Sequence, residues 1–293
     1  MSDPILRGRV PARAIAAAAT AGGTLRILPP GTLAGLGQLS PGRGALHLIE
    51  RHARAYRHMW YAMLSGFFEP LFYLLSIGIG IGKLVGTVTG PTGVVDFTSF
   101  VAPALLATSA MNGAVLDTTF GVLFLMKYAK VYDAMLATPM RSADIAIGQV
   151  GWAVIRGGLY SVAFVVVMLA MGLVHSAWAV LVLPAALLVA LAFAGAGMAA
   201  TTYMKSWQDF EYVTLATLPL FLFSATFYPL TVYPRALQIV VECTPLYQGV
   251  ALLRGLTLGD IGPAMLWNVG YLAAMGTAGL AIATRRISTL LLK

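Results

Sequence analysis

Residues 177–203 read AWAVLVLPAALLVALAFAGAGMAATTY, an apolar run without a single Asp, Glu, Lys or Arg. About 20 mainly apolar residues are needed to carry a helix across the roughly 30 Å hydrocarbon core of a bilayer, and this run exceeds that length. Five further segments are also long and mainly apolar: 60–82, 98–122, 146–172, 212–230 and 264–283. The expected fold is therefore an all-α integral membrane domain with six transmembrane helices. The whole chain agrees, because 59% of its 293 residues are hydrophobic and only 10% are charged, against about 25% charged in a soluble domain. Its mean hydropathy is +0.82.

The net charge of +8 does not point to nucleic acid, since the basic residues form no patch interleaved with aromatics. They lie in the N-terminal region, in short loops and at the C-terminus, where anionic inner-leaflet lipid would meet them. With the N-terminus inside, Arg51, Arg54, Arg57, Lys127, Lys130, Arg141, Lys205, Arg285, Arg286 and Lys293 are cytoplasmic. Only Lys83, Arg235 and Arg254 fall outside. That excess predicts both termini in the cytoplasm.

Residues 1–44 are rich in Pro, Gly and Ala and read as a flexible cytoplasmic tail. Residues 45–59 read as an amphipathic helix lying in the membrane interface, with Leu46, Ile49, Ala53, Tyr56 and Trp60 on its apolar face. His47, Glu50, Arg51, Arg54, Arg57 and His58 take the other face. The six-helix transmembrane domain is expected over 60–284 and a cytoplasmic C-terminus over 285–293. Between the fifth and sixth spans, 231–262 is broken by Pro234 and Pro245 and reads as short re-entrant helices.

Gly78-Ile79-Gly80-Ile81-Gly82-Lys83 superficially imitates a phosphate loop. Position 77 is Ile and Lys83 is followed by Leu84, so the required spacing of glycines before Lys-Ser/Thr is missing. Small residues at alternate positions instead allow close helix approach. Glu69, Asp117 and Arg156 fall within spans, where an uncompensated charge costs roughly 2.5–3.5 kcal/mol. All three lie in the inner half of the membrane, so a Glu69–Arg156 or an Asp117–Arg156 ion pair is geometrically open, and so is a proton relay. The histidines have no partnered carboxylates at ligand spacing within the membrane, and the single Cys243 excludes an internal disulfide and a Cys-based zinc site. No catalytic, cofactor or metal site is expected.

The loop from Lys127 to Asp144 is mixed in charge, helix-compatible to Ala137 and broken at Thr138-Pro139, with Ser142 and Asp144 placed to cap the next helix. A short helix there would be presented to the cytoplasm.

Phe223-Ser224-Ala225-Thr226-Phe227-Tyr228-Pro229-Leu230, with Tyr233-Pro234, Pro245-Leu246 and Leu253-Arg254-Gly255, resembles the C-terminal signature of ABC-2 type permeases. These are the membrane subunits of bacterial ABC exporters. The resemblance covers about 45–290 and is nearest to the nodulation-factor and daunorubicin-resistance branch. Ala225 departs from it, since many members carry Gly there. The resemblance implies an exporter of an amphipathic substrate (a drug, glycolipid or lipid-linked molecule). It also implies a second permease subunit, identical or paralogous, and two separate ATP-binding subunits that hold the ATP and Mg. By the same resemblance, Asp133, Thr138, Pro139, Met140, Arg141 and Asp144 would form the coupling segment. Phe72, Tyr73, Phe221 and Phe227 could line the substrate path. The contrasting reading is an ion- or proton-coupled secondary transporter that uses Glu69, Asp117 and Arg156.

Overall fold

The computed structural model describes residues 42–57, 68, 71–90, 93–138 and 140–291, all within one compact unit, Leu39–Lys293. The expectations for the N-terminal tail, for Glu69 and Pro139, and for most of the first half of the first span lie outside the described residues. Ten helices and one hairpin follow in order. They are α1 (Arg43–Arg57), α2 (Leu71–Val85), the strands β1 (Thr87–Gly90) and β2 (Gly93–Asp96), α3 (Phe97–Tyr128) and the short α4 (Val131–Leu136). Then come α5 (Ser142–Ala170), α6 (Ala177–Thr201), α7 (Phe210–Leu222), α8 (Arg235–Glu242), α9 (Pro245–Leu258) and α10 (Ala264–Leu291).

Among the described residues, α3, α5, α6 and α10 are the helices long and apolar enough to cross a membrane. Their burial separates their roles. In the most apolar window of α3, 78% is buried, against 39% for α5 and 22% for α10. α3 is therefore the central stave. The outward side of α5 carries Ile155, Leu159, Val162, Val166 and Leu169, all exposed and recurring at helical spacing. A contiguous apolar stripe of that length is out of place in water and fits the acyl chains of a bilayer.

α6 fills the space between α3, α5 and α10. Its crossing with α10 is made of glycine: a Cβ on Gly195 would collide with the carbonyl of Gly276, and one on Gly279 would strike the backbone of Gly195. Small residues that let two backbones touch are how lipid-embedded helices gain packing energy.

Three expectations need correction. The fifth span, expected over 212–230, is helical only over α7, whose 13 residues are too few to cross. Pro219 lies in its last turn, and Phe223 ends it by donating its backbone N–H to the Pro219 carbonyl at 2.9 Å. The loop after α2 is an antiparallel hairpin, pairing Thr87 with Asp96 and Gly90 with Gly93, a local exception within an all-helical fold. On α1 the face packed on α5 is Ala45, Leu48, Ile49, His52 and Tyr56, while Leu46 and Ala53 are exposed. The helix is rotated from the expected apolar face because Gly148 and Gly151 of α5 admit Leu48 and Ile49 closely.

In the 231–262 segment, α8 and α9 meet at an angle of 86°. Gly78 and Gly82 of α2 both pack on Thr98, whose hydroxyl donates to the Gly78 carbonyl at 2.7 Å. The glycine run thus serves close packing, as its small residues suggested.

Candidate functional site

Two of the three charges expected within spans, Asp117 and Arg156, meet. Arg156, on α5, donates through Nη1 to Asp117 Oδ1 on α3. Of the two pairings left open by the sequence, the described residues contain Asp117–Arg156. Side-chain exposure is 13% for Arg156 and 12% for Asp117, so the pair is shielded from bulk water and each ion depends on the other. The guanidinium makes two more contacts, donating from Nε to Tyr160 Oη at 2.8 Å and from Nη1 to Tyr56 Oη at 3.2 Å. It lies 5.2 Å from the Tyr56 ring centre and 5.5 Å from that of Tyr160, within cation–π range.

Asp117 opens a π-helical turn, Asp117–Gly121. Such turns insert an extra residue into a helix, often at functional sites. Thr118 and Thr119 return their hydroxyls to the carbonyls of Ala114 and Val115 at 2.7 and 2.6 Å, and Thr201 of α6 donates to the Thr118 carbonyl at 2.8 Å. The turn is therefore tied down on both sides.

Above the cluster is a cavity of about 270 Å³ between α2, α3, α5 and α7. Tyr73, Leu105 and Phe221 give it apolar walls, while Asn112, Arg156 and Thr217 give it polar groups. Of the four aromatics expected on a path, Tyr73 and Phe221 line this cavity, with ring centres 6.3 Å apart. Phe227 packs edge-on against Phe221 at 5.3 Å, behind it. Phe72 stands apart, 60% exposed and stacked on Phe68.

The 127–144 segment is a compact platform. Tyr132 of α4 is fully buried and accepts a hydrogen bond from Gln149 Nε2 of α5. Burial raises the Tyr132 phenol well above its ordinary value, so it remains a neutral anchor. Thr138 is exposed, its hydroxyl donating to the Met135 carbonyl at 2.5 Å. Met140 is half-buried and Arg141 is exposed. Asp133 lies on α4. Asp144 is only 3% exposed, and its carboxylate accepts from the backbone N–H of Arg141 at 3.3 Å and from that of Gly42, ahead of α1, at 3.2 Å. Asp144, and not Ser142, thus caps α5, and it binds the start of α1 to the same point.

Sequence reading missed Tyr56 and Tyr160 as partners of Arg156, Trp152 as the seat of α1, and the Tyr132–Gln149 anchor. Arg156 and Tyr160 lie four apart on one helix face, a spacing that could have suggested their contact. His52 stacks on Trp152 with ring centres 5.6 Å apart and donates from Nδ1 to the Leu48 carbonyl at 2.9 Å. Burial lowers its pKa from 6.5 more than the Leu48 carbonyl raises it, and Arg51 lowers it further.

A bundle of lipid-facing helices around a partly polar cavity, with a platform of mixed charge at one end, is the architecture of a polytopic membrane protein. The sequence profile of the ABC-2 type transporter family matches residues 45–258, and the chain belongs to that family. It is 33% identical over 214 residues to Nodulation protein J of Rhizobium leguminosarum bv. trifolii, covering 72% of this chain and 79% of that protein. Nodulation protein J of Rhizobium meliloti (strain 1021) is 30% identical over 202 residues, covering 68% and 75%. The inner membrane transport permease YadH of Escherichia coli (strain K12) is 27% identical over 199 residues, covering 66% and 74%.

Proposed function

We propose that this chain is the permease subunit of a bacterial ABC-2 exporter, moving an amphipathic substrate outward with ATP hydrolysed on a separate subunit. The observation that carries the reading is a continuous connection from platform to cavity. Asp144 joins α1 to α5 at the platform, α1 packs along α5 through Leu48, His52 and Tyr56, and Tyr56 bonds Arg156 in the wall of the cavity. A push on α1 or on the 131–141 segment therefore reaches the cavity through side chains already in contact.

In this reading both termini lie in the cytoplasm of the inner membrane, and α8–α9 form the re-entrant pair. Burial of Arg254 supports the orientation, because it leaves Lys83 and Arg235 as the exposed basic residues of the hairpin end. Two ATP-binding subunits, which hold the ATP and Mg, dock below. Asp133, Thr138, Pro139, Met140 and Arg141 supply the contact, with Asp144 acting as a clasp behind it. A second permease copy, identical or paralogous, faces α2 and α7. The mixed lining of the cavity, apolar at Tyr73 and Phe221 and polar at Asn112 and Arg156, suits a drug, a glycolipid or a lipid-linked molecule.

The decisive experiment reconstitutes the chain with its cognate ATPase in liposomes and measures ATP-dependent transport and stimulated hydrolysis. Met140→Glu and Arg141→Glu should lower stimulated hydrolysis while the chain still folds. Transport by the chain alone, driven by a proton gradient and lost in Asp117→Asn, would replace this reading with that of a secondary transporter.

A further inference from the structure

A second cavity, about 730 Å³, opens at the hairpin end of the bundle between α3, α9 and the start of α10. Its chemistry is unbalanced. Arg254 lies in its wall only 6% exposed, donating from Nε to the Phe100 carbonyl at 3.1 Å and from Nη2 to the Ala225 carbonyl at 2.8 Å, with its guanidinium 3.7 Å from the Phe100 ring centre. Among the described residues, no carboxylate lies within 4.0 Å of it. A guanidinium buried without an anion is strongly unfavourable. Gln248, whose Nε2 donates to the Glu242 carbonyl at 2.5 Å, has a buried Oε1 without a hydrogen-bond partner among the described residues. Glu242 and Asp260 line the same cavity and pair with no cation there among the described residues.

One ligand class meets all three needs. An anionic phosphodiester oxygen would neutralise Arg254 with charge-assisted hydrogen bonds, and an ammonium group on the same molecule would serve Gln248 Oε1 and the two carboxylates. The wall of the cavity at α10 includes Trp267, 69% exposed, an aromatic surface of the kind found at the level of lipid headgroups. We propose that this cavity, built around buried Arg254 and the unpartnered Gln248 amide oxygen, is a binding site for a bilayer phospholipid with a phosphoethanolamine headgroup. The proposal does not depend on ATP coupling.

The test uses the full-length chain purified in detergent, with binding followed through Trp267 fluorescence and the Trp267→Phe variant as control. Three probes are titrated: sn-glycero-3-phosphoethanolamine, sn-glycero-3-phosphoglycerol and inorganic phosphate. The first is expected to bind at least about tenfold more tightly than the others, a difference of about 1.4 kcal/mol. Glu242→Gln should erase that preference. Ala251→Phe, which fills the cavity without touching the hydrogen bonds of Arg254, should abolish binding at an unchanged melting midpoint, so the result stands even if Arg254→Lys does not fold. Native mass spectrometry should show phosphatidylethanolamine retained by the wild type, lost in Ala251→Phe, and not released by ATP turnover when the ATPase subunit is present. Equal affinity for inorganic phosphate, binding that survives Ala251→Phe, or release during turnover would each overturn the proposal.

Discussion

Ala225 sits at φ +55° and is 1% exposed, in the left-handed region that an L side chain enters at a cost of about 1–2 kcal/mol. Its carbonyl must point at Arg254, and the left-handed turn aims it there. The glycine that relatives are expected to carry at this position thereby acquires a physical reason, one that the sequence alone did not supply. Ala225→Gly should stabilise the protein by about 0.5–1 kcal/mol after the added freedom of the unfolded chain is subtracted, read as a raised melting midpoint in detergent. At the other intramembrane charge, Asp117→Ala leaves Arg156 buried with hydroxyl partners only, and should cost about 3–5 kcal/mol. Asp117→Leu combined with Arg156→Met should recover most of that loss, since neither charge is then stranded. If the double variant is no more stable than the single one, the pair is not what holds α3 to α5. That both ions lie inside spans was plain from the sequence. The α1 partner of Arg156, Tyr56, was not, because it lies 100 residues away and on a helix whose inward face cannot be phased without its neighbour.

At the scale of elements, α1 is the piece whose docking responds to pH. His52 lies between Trp152 and the Leu48 carbonyl, and its folded pKa is below the unfolded value of 6.5 because burial disfavours the imidazolium. The unfolded chain therefore binds the proton more readily. Stability is fully present above pH 6.5 and declines as the pH falls from there toward the folded pKa. The melting midpoint should drop between pH 7.5 and 5.5, and His52→Phe, which keeps the stack on Trp152, should flatten that drop. An identical pH profile in the variant would remove His52 from the account. The elements themselves were unevenly legible. α5, α6 and α10 were readable because their apolar runs are uninterrupted. The hairpin was not, since four-residue strands rich in Thr, Val and Gly look like any polar loop until two of them pair. The stretch after Leu222 read as membrane because Phe223, Phe227 and Tyr228 keep it apolar. Yet Pro219 and the internally bonded Ser224 and Thr226 hydroxyls, 2.7 Å apart, turn the chain out of a helix.

For the whole molecule, the tightest seam is the crossing of α6 with α10, and it has no give: the atoms met by an added Cβ at Gly195 belong to backbone. Gly195→Val should destabilise the protein by about 1–3 kcal/mol or more and push α10 away from the bundle. The measurements are thermal stability and protection of the 272–287 amides from hydrogen exchange. By contrast α7 buries none of its residues fully. The molecule thus combines a fixed block of α3, α5, α6, α9 and α10 with more lightly held staves at α2 and α7, between which the 270 Å³ cavity opens. The π-helical turn at Asp117–Gly121 has a consequence for the genetics of this chain. A π turn takes up one extra residue within a single turn, so removing one residue there would restore ordinary winding and leave Val122 onward near its present phase. A deletion in the ordinary α-helical part of α3 would instead swing everything beyond it by about 100°. An in-frame codon deletion at 120–121 should therefore leave more folded protein than one at 105–106, read as yield in detergent.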